Sequence, residues 1–124
     1  MSLSTNLLDA LSPKNRIFVA FSGGLDSTAL LFLCNKALKQ KKINNLKAIH
    51  INHNLSKNSD NWQQHCESFC RSNNIKFESF IVEVSKNRSS IESQARQARY
   101  KIFESLLDEN DQILLAHHRD DVFE

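Results

Sequence analysis

The chain has 124 residues, a length that fits one domain with a buried core. Its composition, 40% hydrophobic and 24% charged, is that of an ordinary globular domain and excludes a low-complexity chain. The 16 basic and 14 acidic residues leave a net charge of +2, which is too small to indicate nucleic-acid binding by itself.

The first two predicted elements are a short helix and a buried strand. Residues 3–11 have the pattern of an amphipathic helix, which Ser12-Pro13 ends. Residues 17–21 form a continuous apolar run, which is typical of a strand buried on both faces. A longer helix is then predicted over residues 28–39, because apolar residues recur there at the spacing of one helical face. That face consists of Leu30, Leu33, Cys34, Ala37 and Leu38.

The loop between this strand and this helix contains the only two glycines of the chain, Gly23 and Gly24. Glycine allows a sharp turn with positive φ and lets a ligand approach the main chain closely. The N–H groups there have no intrahelical partner, and the helix dipole favours an anion. The loop therefore predicts a phosphate cradle. The alternative is an ordinary turn in which Asp26 or Ser27 only caps the helix.

The rest of the chain alternates strands with helices. Strands are predicted at residues 47–51, 77–84 and 111–116, and helices at residues 59–73 and 90–107. The apolar face of the helix over residues 59–73 consists of Trp62, Cys66, Phe69 and Cys70. That of the helix over residues 90–107 consists of Ile91, Ala95, Ala98, Ile102 and Leu106. This order predicts an α/β fold, an open parallel sheet with helices on both faces. Ligands bind such sheets at the carboxyl ends of the strands, where the strand order reverses.

Two groups of polar residues follow predicted strands. His50 and His53 end the second strand, where a functional imidazole and a merely structural one are both common. His117-His118-Arg119-Asp120-Asp121 follows the fourth strand. Its two carboxylates could cap a helix or help Asp26 hold Mg²⁺, which prefers one or two carboxylates with phosphate oxygens. A structural zinc site is not expected, because the His and Cys residues lack ligand spacing.

Two further patterns lie on predicted helices. Glu92, Arg96 and Arg99 occupy adjoining turns of one helix, as an ion-paired exposed face or as guanidinium groups held for phosphate or an RNA backbone. The pattern leaves both open. Cys66 and Cys70 share an apolar face with aromatic residues, so we expect them to be buried thiols.

Four blocks of the chain together resemble a known family. Ser22-Gly23-Gly24-Leu25-Asp26-Ser27 resembles the SGGxDS signature of the PP-loop ATP pyrophosphatases, which bind ATP, transfer AMP to an oxygen and release pyrophosphate. With the three blocks that follow, the chain resembles the tRNA(Ile)-lysidine synthetases, which join free lysine to a cytidine of the tRNA anticodon and consume ATP. Those blocks are His50-Ile51-Asn52-His53-Asn54-Leu55, the set Glu92, Ala95, Arg96, Arg99 and Tyr100, and Ala116-His117-His118 with Asp120 and Asp121.

The resemblance implies the PP-loop fold, with the strands in the order third, second, first, fourth. The strand order then reverses between the first and fourth strands, so the glycine loop would lie beside residues 117–121. His50 and His53 would lie on the other flank. One position departs from the family, because Asn54 stands where glycine is usual. Asparagine, like glycine, tolerates the left-handed conformation, so this departure does not count against the resemblance.

The resemblance also implies the roles of individual residues. ATP would be held by Ser22, Gly23, Gly24, Leu25, Asp26, Ser27 and His53. Mg²⁺ would bind Asp26. Catalysis would involve Asp26, Arg99, His118 and Asp121, and the substrates would contact Arg96, Asp120 and Glu124. In the implied reaction the C2 oxygen of the cytidine attacks the α-phosphorus, and the lysine amine then replaces AMP. Asp120, Asp121 and Glu124 are the candidates to receive the lysine ammonium.

Two other functions stay open. A tRNA-thiolating PP-loop enzyme would need reactive cysteines near the cleft, and a non-catalytic ATP-binding module would not need the acidic block after the fourth strand. The C-terminal tRNA-binding regions of the family are absent from residues 1–124. We therefore expect one PP-loop domain, truncated at its C-terminus, that binds ATP but is inactive alone and self-associates.

The cysteines and the apolar runs bear on where the protein is found. The three cysteines form no disulfide framework, which fits a reducing compartment. No apolar run is long enough to span a bilayer. We therefore expect a cytoplasmic protein with tRNA(Ile) and free lysine as substrates and no membrane partner.

Overall fold

A computed structural model describes residues 16–54, 58–83, 91–109 and 111–116. Four strands alternate with three helices in this part of the chain. In chain order they are β1 (Ile17–Ala20), α1 (Leu25–Lys39), β2 (Leu46–Asn52), α2 (Asn58–Ser72), β3 (Lys76–Ile81), α3 (Ile91–Leu106) and β4 (Gln112–Leu114). The helix predicted over residues 3–11 lies outside the described residues. Among the described residues, no helix is both long and apolar enough to cross a membrane.

The strands form one parallel sheet in the order β3-β2-β1-β4. Ile17 of β1 pairs with Leu46 of β2 on one side and with Gln112 of β4 on the other. The order places β1 inside the sheet, which agrees with its continuous apolar sequence. It also places the reversal of strand order between β1 and β4, so the predicted α/β fold and strand order are both confirmed.

Two hydrophobic clusters lie on the two faces of the sheet. Alternate β1 residues point to opposite faces, as the period of a strand requires. Ile17 and Val19 join one cluster with side chains of α1 and α2, and Phe18 joins the other with Phe103 of α3. Helices α1 and α2 therefore cover one face of the sheet, and α3 covers the other.

The predicted buried face of α1 is partly wrong. Its buried side chains include Ser27, Leu31, Cys34 and Asn35, whereas Leu33 is only half-buried. These four positions have the spacing i, i+4, i+7 and i+8 of one helical stripe. Two of the four are polar. A prediction from apolar residues alone therefore assigned the buried face to the wrong side of the helix.

Other boundaries and faces also differ from the prediction. Helix α1 begins at Leu25, because Gly24 already serves as its N-cap. Strand β3 ends at Ile81, whereas the prediction extended it to residue 84. In α3 the predicted face omitted Phe103, which is buried and packs edge-on against Tyr100. The aromatic pair, with Leu106 and Leu107 beside it, directs the helix toward the sheet.

An ion pair joins the beginning of β1 to the turn before β4. The Arg16 Nη2 atom lies 2.5 Å from Asp111 Oδ2 and 2.9 Å from Asp108 Oδ2. The main-chain N–H of Asp108 also donates to Asp111 Oδ2, at 2.8 Å. The Arg16 guanidinium, as the main cause, and the Asp108 N–H hold the pKa of Asp111 below its usual range.

Replacing Asp111 by asparagine is expected to lower the melting temperature at pH 7 but not in acid. The pKa of Asp111 is lower in the folded chain than in the unfolded chain. Its stabilisation is therefore complete above the unfolded value of about 3.9 and is lost as the pH falls through the folded value. Thermal unfolding of both proteins from pH 7 down to about pH 2 measures the difference. A difference that does not depend on pH would contradict this, and Glu109→Gln, an exposed carboxyl nearby, is the control.

Candidate functional site

The glycine loop connects the carboxyl end of β1 to the first turn of α1. Gly23 has a φ of +86°, a conformation that side chains other than glycine rarely adopt. Gly24 is the N-cap of α1, with an extended backbone and no side chain to bond the first N–H groups of the helix. Those N–H groups and the positive end of the helix dipole consequently face the loop. This geometry suits an anion.

Two serine hydroxyls brace the loop from inside. Ser27 is buried, and its Oγ lies 2.9 Å from the Oγ of Ser22. The Ser27 Oγ also accepts the main-chain N–H of Ser22 at 3.1 Å, and the Ser22 Oγ accepts that of Gly24 at 3.2 Å. Ser27 is therefore bonded to the loop itself. The alternative in which Ser27 only caps the helix does not describe these contacts.

A cleft of about 380 Å³ opens beside this loop. Its walls come from the carboxyl ends of β1, β2 and β4 and from helices α2 and α3. Four of the predicted site residues line it, namely Ser22, Ser27, His53 and Arg99. The cleft is thus at the edge of the sheet where the parallel-strand rule places ligands, next to the reversal of strand order.

His50 lines the cleft and bonds the main chain at the end of β1. It is buried at the end of β2, and its Nδ1 lies 2.9 Å from the main-chain oxygen of Phe21. Because a carbonyl oxygen only accepts, Nδ1 carries the hydrogen. Burial lowers the pKa of His50, against a smaller opposite effect of this hydrogen bond, so the neutral imidazole is favoured. His50 therefore fixes the main chain of Phe21, the residue directly before the glycine loop.

His53 and Arg99 both line the cleft and interact electrostatically. Burial, the Arg99 charge and the His50 ring all lower the pKa of His53, with burial the largest cause. Among the described residues, the buried His53 Nδ1 has no hydrogen-bond partner. The cleft therefore combines a neutral imidazole with a guanidinium, a pair that can bond and neutralise an anionic ligand.

A buried amide fixes the turn that carries His53. The Nδ2 of Asn52 donates to Asp60 Oδ1 at 3.0 Å and to Gln63 Oε1 at 2.9 Å, and both acceptors belong to α2. The Oδ1 of Asn52 accepts the main-chain N–H of Asn54 at 2.8 Å. Asn54 has a φ of +53°, the left-handed conformation that asparagine tolerates. Asn52 thereby ties the end of β2 to both its own turn and α2.

The other predicted site residues lie in different places. Asp26 and Leu25 are exposed in the first turn of α1, next to the loop. Arg96 lines a separate groove on α3 with Tyr100 and Lys101, so the structure does not bring it into the cleft. The remaining predicted residues, namely His117, His118, Arg119, Asp120, Asp121 and Glu124, lie outside the described part of the chain, and the side chain of Glu92 is not described. No group of three or more potential metal ligands occurs within the described ranges.

Trp62 is a cleft residue that the sequence prediction assigned to the apolar core. It is 46% exposed, lines the cleft, and its indole N–H donates to the main-chain oxygen of Ser22. One signal could have identified it. A helix that precedes a parallel strand begins at the carboxyl edge of the sheet, and Trp62 is near the beginning of α2.

The three cysteines are expected to resist thiol reagents while the chain is folded. All are buried, and burial raises the pKa of Cys34 and Cys66 to about 11 and that of Cys70 to about 12. Almost no thiolate, the reactive form, exists at neutral pH under these conditions. Labelling with a chromogenic disulfide should therefore be slow in buffer and fast in denaturant, where all three thiols react. Fast labelling of the folded chain would contradict the expectation.

Comparison with known proteins gives three findings. A family model described as a PP-loop domain matches residues 2–124. The tRNA(Ile)-lysidine synthase of Legionella pneumophila (strain Lens) is 44% identical over 119 residues, which are 96% of this chain and 27% of that protein. The protein of the same name from Pseudomonas syringae pv. tomato is 43% identical over 122 residues, with the same shares.

Solved structures are also similar to this chain, and one of them aligns over nearly all of it. The U34-tRNA thiolase NcsA from Methanococcus maripaludis, with its 4Fe-4S cluster, aligns with a TM-score of 0.73 and 23% identity. The alignment covers 98% of this chain and 46% of that one. This likeness shows the fold. The chain spans about a quarter (27%) of the length of the curated relatives it matches.

Proposed function

The chain belongs to the PP-loop family, and from this premise we propose that its cleft binds ATP for the ligation of lysine to a cytidine of tRNA(Ile). The single observation that carries the ATP part is the braced glycine loop, which joins a positive-φ glycine, an uncapped helix start and a cleft at the reversal of strand order. The lysine and tRNA parts rest on the similarity to the tRNA(Ile)-lysidine synthases.

The residues of the cleft suit a reaction at a phosphate. Attack of the cytidine oxygen on the α-phosphorus breaks the bond to the β-phosphate and builds negative charge on the departing pyrophosphate. In the second step the lysine amine displaces AMP, which leaves with its phosphate. The N–H groups of the loop and of the first turn of α1 would stabilise the charge on the pyrophosphate, because they are already oriented before reaction. The guanidinium of Arg99, which also lines the cleft, would add a positive charge. Ser22 and Ser27 would keep the loop open for the phosphates.

Asp26 is the residue we propose for Mg²⁺. Its carboxylate is exposed in the helical turn that follows the loop, and Mg²⁺ needs only one or two carboxylates in addition to phosphate oxygens. The ion would supply positive charge beside the phosphates. Residues 118, 120, 121 and 124 keep their proposed roles toward cytidine and lysine, and Arg96, which lies outside the cleft, is proposed to contact the tRNA backbone.

The buried cysteines favour lysine ligation over thiolation. A sulfur-transferring enzyme needs a reactive thiolate or a cysteine-bound cluster near the cleft. The described thiols are buried and have raised pKa values. Cys66 lies under the loop and faces Gly23 from within the core, so it is not placed to carry sulfur to a substrate.

A chimera tests the reaction separately from ATP binding. The 124-residue chain is first titrated with ATP and Mg²⁺, and we expect saturable binding. The chain then replaces the 119 matched residues in the Legionella pneumophila relative, and the chimera is incubated with ATP, labelled lysine and unmodified tRNA(Ile). We expect label in the tRNA. A folded chimera that binds ATP without transferring label would instead support a non-catalytic ATP-binding module.

A further inference from the structure

Helix α2 contacts the glycine loop through one aromatic side chain. The Nε1–H of Trp62 donates to the main-chain oxygen of Ser22 at 2.5 Å. Two ring atoms of the same indole lie 2.9 Å and 3.0 Å from the position that a Cβ on Gly23 would occupy. The indole also stacks on His65, with ring centroids 4.9 Å apart and planes 17° apart. The indole thus packs against His65 of its own helix and also contacts the loop at Ser22 and Gly23.

This hydrogen bond fixes the orientation of one peptide unit. The carbonyl of Ser22 and the N–H of Gly23 belong to the same planar trans peptide, so they point in opposite directions. Glycine accepts positive and negative φ about equally, which means that this peptide could otherwise turn over without a steric penalty at residue 23. With the carbonyl bound to Trp62, the Gly23 N–H points away from α2, and φ of Gly23 has its observed value of +86°.

Other contacts of the loop leave this orientation unfixed. The His50 imidazole holds the carbonyl of Phe21, and the Ser27 hydroxyl holds the side chain and the N–H of Ser22. Both act on atoms that precede the carbonyl carbon of Ser22, and the Gly24 N–H that bonds the Ser22 hydroxyl lies beyond the Ser22–Gly23 peptide. The Trp62 bond is made by the oxygen that rotates with the Gly23 N–H. The position of a phosphate-binding N–H therefore depends on a side chain from a different helix.

We infer that Trp62 is a positioning residue of the nucleotide site, which holds the peptide between Ser22 and Gly23 in the orientation that binds phosphate. The inference rests on the proposed binding of ATP. It adds helix α2 to the site, and it gives a function to an indole that is half exposed although it lies on the stripe of Cys66 and Cys70.

The hydrogen bond and the ring can be tested separately. Trp62→Phe keeps an aromatic ring and removes the donor. Since Trp62 is the only tryptophan, growth with benzothienylalanine replaces its N–H by sulfur at this one position and keeps the shape. Both changes should weaken ATP binding by about tenfold, the size of one hydrogen bond. Binding of adenosine, which has no phosphates, should be unchanged, and so should the melting temperature of the benzothienylalanine protein.

A matched control and three outcomes decide the inference. Phe32→Leu removes another exposed aromatic ring, on α1 and outside the cleft lining, and should leave the affinity for ATP unchanged. If the wild-type chain does not bind ATP, the proposed function fails and the inference fails with it. If the wild type binds ATP and the benzothienylalanine protein binds it equally well, the inference alone is overturned. Equal loss of ATP and adenosine binding would also overturn it, because that pattern indicates a general structural role.

Discussion

Replacing Gly23 by alanine is expected to lower the free energy of unfolding by about 2–6 kcal/mol, the sum of backbone strain and overpacking. The strain arises because φ at this residue is +86°, which alanine rarely adopts. The overpacking arises because the new Cβ would lie 2.8 Å from Cys66 Sγ and 2.9 Å from a Trp62 ring carbon. Both neighbours belong to α2, and Cys66 is fully buried, so it has little room to move.

Gly24 is the matched control for this prediction. Its φ of −74° suits any residue, and a Cβ there would meet only the Ser22 hydroxyl, at 3.4 Å. Gly24→Ala should therefore change the stability by no more than about 1 kcal/mol. Urea denaturation of both variants gives the comparison. Equal stabilities of the two variants would show that contact with α2 does not restrict residue 23.

A larger substitution at Gly24 tests ATP binding separately from folding. Gly24→Val is expected to leave the sheet folded but to abolish ATP binding, because its methyl groups would occupy the side of the loop where the first N–H groups of α1 are exposed. Titration with ATP, with circular dichroism as the test of folding, measures both effects. Unchanged affinity in a folded Gly24→Val variant would exclude the loop as the phosphate site.

The fold was largely predictable from local patterns. The apolar run of β1, the paired glycines and the alternation of strands with helices suffice for a parallel α/β sheet, and the family resemblance supplied the strand order. The rotation of α1 was not predictable in the same way. Its buried stripe includes Ser27 and Asn35, and the reason for burying Ser27 is the hydrogen bonds it makes with the loop. Those contacts join residues on different elements, which a count of apolar residues does not detect.

The site was predictable only in part for a related reason. Arg96 and Arg99 are three residues apart on α3, which turns their side chains about 60° from each other around the helix axis. That rotation is enough to direct Arg99 into the cleft and Arg96 into the neighbouring groove. The sequence gives the spacing of the two arginines but not the direction in which the helix presents them. Phe103, which packs against the sheet, sets that direction.

Asn52→Asp is expected to destabilise the chain by about 3–5 kcal/mol at neutral pH, the usual cost of a buried charge without a partner. Asn52 is almost fully buried, and its Nδ2 uses both hydrogens, toward Asp60 and Gln63. A carboxylate of the same shape would present oxygen to the Asp60 carboxylate, and the Gln63 amide would have to turn over in order to donate to it. The introduced carboxylate would still accept the N–H of Asn54, so the change removes only the two donors.

The pH dependence of this variant distinguishes charge from shape. Burial and the facing carboxylate would raise the pKa of the introduced carboxyl in the folded chain above its unfolded value of about 3.9. Below that value the group is protonated in both states and carries no charge penalty. As the pH rises toward the folded value, only the unfolded chain ionises freely, so the deficit grows. Urea denaturation should accordingly show a smaller deficit at about pH 4 than at pH 7.

The complementary change on α2 completes the argument. Asp60→Asn combined with Asn52→Asp exchanges the donor and the acceptor, so an amide on α2 can donate to a carboxylate on β2 across the same 3.0 Å contact. The double variant should therefore be more stable than Asn52→Asp alone, with a coupling energy of about 1–3 kcal/mol. Additive effects in this cycle would mean that the two side chains do not interact. The Asn52 amide would then hold the turn that carries His53 through Gln63 and Asn54 alone.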